Sequence, residues 1–268
     1  MSAVPEEHWV ALHHGQSTDR GLRRALNEDS MLATDTLLLV ADGMGGHAAG
    51  DVASSVCVQT FAEGVRQAHG LIDAQLIDDL LQRADRAILA AGSARAGTTV
   101  SGAAVIYPEG QPQWLIFNVG DSRTYRMADG LLEQVTVDHS EVQELLDSGR
   151  LSAGEAADYP RRHVITRALG MRADNRADFW MLPVKAGDRL LVCSDGLSGE
   201  LSDEQMQQVL ARFPDPQQAA DELIQAALRN GGRDNISVIV ADVAAGHPDD
   251  IDITVPRQII TTDTEEKS

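Results

Sequence analysis

Several short apolar runs in this chain stop at, or start from, an acidic residue in a tight turn. Leu37-Leu38-Leu39-Val40-Ala41 leads into Asp42-Gly43, Leu115-Ile116-Phe117-Asn118-Val119 into Gly120-Asp121, and Leu190-Leu191-Val192-Cys193-Ser194 into Asp195-Gly196. Asp234 stands just before Ile236-Ser237-Val238-Ile239-Val240, and Asn27-Glu28-Asp29 precedes Ser30-Met31-Leu32. Apolar runs of this length, bounded by turn residues, read as buried strands over 36–41, 113–119, 188–194 and 235–243. A single Asp-Gly is more often a turn than a ligand, because both residues suit turns. Taken together they mean more: a core fixes where strands end, so acids at those ends can converge on one edge. Carboxylates held close repel and raise one another's pKa unless a cation neutralises them. Hard divalent ions that take oxygen ligands do this. No His/Cys cluster has zinc spacing, and His13-His14 is merely adjacent, so Mg²⁺ or Mn²⁺ fits better than Zn²⁺.

Tyr107 and Trp114 flank a Pro-Glu-Gly-Gln-Pro turn, and Met127 and Leu131 flank Ala-Asp-Gly; both read as hairpins. Leu76, Leu80, Ala84 and Ile88 recur every four residues, and Leu223, Ile224, Ala227 and Leu228 form a second helical stripe. Helices are also expected over about 50–67 and 203–213. Strands in hairpins with helices in pairs favour antiparallel sheets with helices packed outside them over a doubly wound parallel sheet. Residues about 140–172, polar and Arg-rich with one short helix, look like an insertion.

With 268 residues and 43% apolar content the chain can bury a sizeable core, which must be mostly aliphatic because only 4% is aromatic. A formal charge of −19 argues against nucleic acid and membrane surfaces as partners. No apolar stretch approaches the ~20 residues that cross a bilayer. Residues 1–7 form a short N-terminal extension without a signal pattern, and the Asp- and Thr-rich segment 246–268 reads as a mobile tail. Cys57 and Cys193 sit in apolar surroundings and read as two buried thiols of a cytoplasmic protein.

The run Asp42-Gly43-Met44-Gly45-Gly46-His47 lets backbone approach a ligand closely, and no Gly-Lys-Ser/Thr follows to make it a Walker loop. Further motifs follow a recognisable order. They are Thr18-Asp19-Arg20-Gly21-Leu22-Arg23-Arg24-Ala25-Leu26-Asn27-Glu28-Asp29, Gly97-Thr98-Thr99, Val119-Gly120-Asp121-Ser122-Arg123 and Asp138-His139-Ser140. His163-Val164-Ile165-Thr166-Arg167-Ala168-Leu169-Gly170, Cys193-Ser194-Asp195-Gly196-Leu197 and Gly232-Arg233-Asp234-Asn235 complete the series. In this order, over about 9–243, the chain resembles the metal-dependent protein phosphatases (protein phosphatase 2C-like), especially the compact bacterial serine/threonine type.

The resemblance implies an α+β fold: a four-layer α-β-β-α sandwich, two antiparallel sheets between helix pairs, with metals at one edge. It makes 8–245 the catalytic domain and 140–172 a flap beside the site. It implies that Asp42 bridges two Mn²⁺ or Mg²⁺ ions and that Gly43 lends one of them its carbonyl. Asp195 and Asp234 would hold the other ion. Glu28 and Asp29 would act through water, and Asp121 would belong to a third, weaker site. Arg24 would grip the substrate phosphate, its planar fork matching two phosphate oxygens. A hydroxide shared by the two metals would then attack phosphoserine or phosphothreonine in line. Phosphorylated proteins are the implied substrates, a serine/threonine kinase the implied counterpart in signalling, and a monomer the expected state. Arg161 and Arg162 read first as solvated surface and Arg167 as structural. One departure is Met44, where some eukaryotic members carry a His proposed to protonate the leaving group; His47 reads first as a helix-start residue. Two other readings stay open: an inactive scaffold of the same fold that binds phosphoproteins, and a hydrolase of small phosphate esters.

Overall fold

The computed structural model describes residues 10–45, 49–69, 71–91, 96–156, 159–161, 163–171 and 175–243. The extension at 1–7, the tail at 246–268, His47 and Arg162 lie outside these residues. The described residues form two antiparallel sheets. The first runs β1 (Leu12–Asp19), β11 (Ile236–Val243), β10 (Arg189–Cys193), β7 (Arg123–Ala128), β8 (Leu131–Gln134). The second runs β2 (Asp29–Ala33), β3 (Leu37–Met44), β5 (Val100–Ile106), β6 (Gln113–Val119), β9 (Asp178–Pro183), with the two-residue β4 (Gly97–Thr98) also on β3.

Side-chain alternation sorts the strands into three apolar layers. Leu38, Val40, Ala103, Trp114 and Ile116 meet Leu190, Val192, Ile239 and Ala241 between the sheets. On the outer face of the second sheet, Leu37, Leu39, Leu115 and Phe117 pack under α1 (Ala49–Gln67) and α2 (Ala74–Ala90), where Phe61 stacks on Phe117 with centroids 5.7 Å apart. On the outer face of the first, Leu191, Cys193, Val238 and Val240 pack under α6 (Asp203–Arg212) and α7 (Pro216–Asn230). The result is the expected α-β-β-α sandwich.

The helices start where capping chemistry puts them. Asp73 accepts from the Leu76 N–H at 2.8 Å, Ser202 and Gln205 form a reciprocal capping box, and Asp215 caps α7 ahead of Pro216. Both expected hairpins form, β5–β6 and β7–β8. The cysteines are buried in opposite outer layers and are free, and burial pushes both thiols up to about 12. The 140–171 stretch carries the short helices α3 (Glu141–Asp147) and α4 (Ala153–Ala156), and bridges Ser140–Ile165 and Thr98–Leu169 tie its two ends to each other and to the sheet. Among the described residues no helix is long and apolar enough to cross a membrane.

Candidate metal centre

Leu37–Ala41 are buried on both faces, so the end of β3 has no freedom in where it emerges. There Asp42 lies opposite Asp29 of β2 in the strand register. Its backbone is gripped on the other side: the Thr99 N–H and Thr98 hydroxyl donate to the Asp42 carbonyl at 2.9 Å each, and the Asp42 N–H donates to Thr99 Oγ1 at 3.3 Å. The Gly43 N–H donates to the Glu28 carbonyl at 3.1 Å. A Cβ on Gly43 would stand 2.2 Å from the Gly50 carbonyl oxygen, so this contact between β3 and α1 admits only glycine. The Ser54 hydroxyl of α1 donates to the same Glu28 carbonyl at 2.6 Å.

The first sheet supplies the facing acids. Asp195 opens α5 (Asp195–Ser198), a single turn directly after β10. The preceding Ser194 hydroxyl donates across the sandwich to Asp29 Oδ2 at 2.9 Å. Asp234 precedes β11; its Oδ1 accepts from the Asn235 N–H at 2.8 Å and its Oδ2 from Arg24 Nη2 at 2.6 Å. Asn235 fastens the 20–28 segment: its Oδ1 accepts from the Glu28 N–H at 2.9 Å, and its Nδ2 donates to the carbonyls of Arg20 and Leu26 at 2.9 and 2.8 Å. Asp121 follows Gly120, which His139 holds twice. The Gly120 N–H donates to His139 Nδ1 at 3.1 Å, and the His139 N–H donates to the Gly120 carbonyl at 2.9 Å.

Like charges crowd at this edge. Burial first, then Asp29, Asp195, Asp121 and Asp234, hold the Asp42 carboxyl well above the usual range. Burial together with Asp195 and Asp138 does the same to Asp121. Asp195 is raised by burial and Asp234, against a hydrogen bond with Asp42 that lowers it. Burial pushes Asp29 up to about 7 even though hydrogen bonds from Ser237 and Ser194 favour its charged form. Arg24 is raised by its hydrogen bond to Asp234. Two buried carboxylate oxygens, Glu28 Oε1 and Asp29 Oδ1, have no hydrogen-bond partner. A crowded set of half-buried acids, with two buried orphaned oxygens among them, fits a hard dication. Among the described residues no three Asp, Glu, His or Cys side chains enclose an ion by themselves.

The structure thus brings together Asp29, Asp42, Asp121, Asp195 and Asp234, with Glu28 behind β3 and Arg24 at the rim. Arg161 is exposed and paired with Glu141 at 2.7 Å, and Arg167 pairs with Asp178 at 2.9 Å, in keeping with surface and structural roles. Sequence reasoning gave no role to Ser194, Asn235, Thr98, Thr99 or His139. Their only signal was a place inside a motif, since a neutral side chain tying distant segments has no spacing of its own.

A family model described as Protein phosphatase 2C matches residues 23–230. The chain is 42% identical over 246 residues to the serine/threonine protein phosphatase PstP of Mycobacterium tuberculosis, covering 87% of this chain and 45% of PstP. It therefore spans somewhat under half the length of that relative. It is 35% identical over 245 residues to the serine/threonine phosphatase stp of Listeria innocua, covering 86% of this chain and 96% of stp. Its fold is similar to the crystal structure of the catalytic domain of PstP in complex with two manganese ions. There the TM-score is 0.77 and the identity 37%, over 88% of this chain and all of that one.

Proposed function

This chain belongs to the protein phosphatase 2C family, and we propose that it is a metal-dependent serine/threonine protein phosphatase. The observation that carries the reading is the convergence of acids from both sheets on one edge, with orphaned buried oxygens among them and Arg24 beside them. The manganese ions of the PstP structure and the named activities of PstP and stp support it.

In this proposal Asp42 would serve both ion sites, with the Gly43 carbonyl at one and Asp195 and Asp234 at the other. Glu28 and Asp29 would act through water, and Asp121 would belong to a third, weaker site. Bound Mn²⁺ or Mg²⁺ supplies neutralising charge and a water acidified to near neutrality. Arg24 turns its guanidinium to the phosphate and holds it by paired, charge-assisted hydrogen bonds, which orients phosphorus and stabilises its equatorial oxygens. The Thr98–Thr99 and Asn235 hydrogen bonds keep Asp42 and the 20–28 segment from drifting, and positioning errors of about 1 Å cost around a hundredfold in rate. No side chain of the described residues is assigned as leaving-group acid; Met44 occupies the position after Gly43.

We assign the catalytic unit to 8–245 with 140–172 as its flap, and we place the protein in the cytoplasm as a monomer. Hydrolysis of phosphoserine and phosphothreonine implies a kinase that makes them, so a role in kinase signalling follows from the chemistry. The test is phosphate release from a phosphothreonine peptide with and without Mn²⁺, for wild type and Asp42→Asn. Metal-dependent release that disappears in Asp42→Asn is the expected result. Metal binding without release from any ester tried would leave a phosphoprotein-binding scaffold instead.

A further inference from the structure

Three arginines, Arg20, Arg23 and Arg24, fall within five residues of a chain that carries 22 basic and 41 acidic residues. The segment 20–26 is pinned by its backbone to the loop bearing Asp234. The Leu22 N–H donates to the Gly232 carbonyl at 2.7 Å, the Arg20 and Leu26 carbonyls accept from Asn235, and a Cβ on Gly21 would lie 2.0 Å from the Asp234 carbonyl oxygen. The side chains are treated differently. Leu22 is 65% exposed and Leu26 52%, and both Arg20 and Arg23 are exposed. Arg24 is engaged with Asp234. Arg20 reaches only the Ala25 carbonyl, at 3.3 Å, and Arg23 has no charged partner among the described residues. Other arginines near the edge are compensated: Arg233 by Glu200, Arg161 by Glu141 and Arg123 by Asp138.

A rigid backbone beneath uncompensated cations and bare leucines is a poor design for solubility, which the −19 charge already secures. It is a good design for gripping an anionic chain with an apolar side chain in it. A nucleic acid would meet the repulsion of the whole molecule, whereas a short acidic peptide meets only the local field.

We propose, on the footing of the phosphatase reading above, that Arg20, Arg23, Leu22 and Leu26 form a recognition surface. It favours phosphorylated segments with Asp or Glu within a few residues of the phosphate and an apolar residue beside them. Arg24 takes the phosphate, and its neighbours on the same turn take the flanking carboxylates. Contacts of this exposed kind act on encounter and binding, so the preference falls on KM more than on kcat, and salt weakens it.

The test uses two phosphothreonine peptides that differ only in carrying Glu or Gln at the flanking positions, with p-nitrophenyl phosphate as a third substrate. For wild type with Mn²⁺ at low salt, kcat/KM for the Glu peptide is expected to exceed that for the Gln peptide by about fivefold to tenfold. Arg23→Ala should lower that ratio to about twofold, Arg23→Glu should bring it below one, and high salt should bring the wild-type ratio toward one. Equal use of the two peptides by wild type, or an unchanged ratio in Arg23→Glu, overturns the recognition surface and leaves the phosphatase reading standing. No turnover of either peptide or of p-nitrophenyl phosphate removes the phosphatase reading and the recognition surface with it.

Discussion

Asp29 and Asp42 form the wall of the acidic edge; Asp234 and the 20–26 segment form its rim. The wall is carried on paired strands, with its carboxyls half-buried and pushed up by desolvation before any neighbour is counted. The rim is carried on loops: the Asp234 side chain is 33% exposed, Arg24 is 50% exposed, and each already neutralises the other. The wall therefore needs a cation to keep its charge, while the rim supplies its own. Wall residues should govern cation-free stability, Asp234 should serve the ion from the rim, and Arg24 and its neighbours should govern what docks.

The largest effect should come from the wall. Asp42→Asn should lower phosphate release by at least about a thousandfold. In chelator the same variant should melt higher than wild type, because it removes a half-buried charge from a repelling cluster. Parallel activity assays and melts check both. A lower melting temperature in chelator would mean that Asp42 is stabilised by contacts the electrostatic picture leaves out.

At the rim, Arg24→Ala should cost about a hundredfold in kcat/KM on a phosphopeptide, with Mn²⁺ affinity by calorimetry changed far less. If Mn²⁺ affinity fell as steeply as kcat/KM, wall and rim would be one unit and the contrast would be broken.

The pH dependence separates them further. Asp29 titrates near 7 in the fold and near 4 when unfolded, so between those values the folded chain holds a proton that the unfolded chain has lost. Its contribution to stability thus falls as pH rises from about 4 to 7 and is flat above. Melting in chelator should show this decline, and Asp29→Asn should flatten it. With saturating Mn²⁺ the trend should reverse, since cation binding needs the carboxylates deprotonated. An identical pH slope for wild type and Asp29→Asn in chelator would show that Asp29 does not carry the effect.

The acids were the more legible part of the edge, on wall and rim alike. Strands β3, β6, β10 and β11 are buried apolar runs, and their ends announce Asp42, Asp121, Asp195 and Asp234 directly. The edge strands hid: β1 reads Leu-His-His-Gly-Gln-Ser-Thr-Asp, and its Gly15 is buried only because the chain of α7 at Gln217 lies 2.2 Å from where a Cβ would be. Strand β9 alternates half-buried and exposed residues and leaves Phe179 and Met181 bare, so no apolar run marks it. Within the site, Ser194 bonds Asp29 from 165 positions away and Asn235 bonds the Glu28 N–H from 207 away. Such links belong to the folded topology, and one sequence read along its length does not contain them as a pattern.

The smallest expected effect sharpens the contrast most, because it touches the rim without touching an acid of the edge. The Glu200 side chain is 3% exposed, and its carboxylate accepts from the Arg233 N–H at 2.8 Å and from Arg233 Nε and Nη2 at 2.9 and 3.0 Å. Arg233 adjoins Asp234, and Asn230 Nδ2 donates to the Glu200 carbonyl at 2.9 Å, so Glu200 draws the Asp234 loop against the turn that Asp195 opens. Glu200→Gln keeps the shape but turns one acceptor into a donor facing donors. It should weaken Mn²⁺ binding and kcat/KM by about twofold to fivefold and lower the melting temperature by about 1–3 °C. Because Arg233 is 65% exposed, the loss should shrink as salt is raised, whereas the loss in Asp42→Asn, deep in the wall, should not. A salt-independent loss approaching that of Asp42→Asn would place Glu200 functionally in the wall, and the division between a cation-dependent wall and a self-neutralised rim would have to be redrawn through the Asp234 loop.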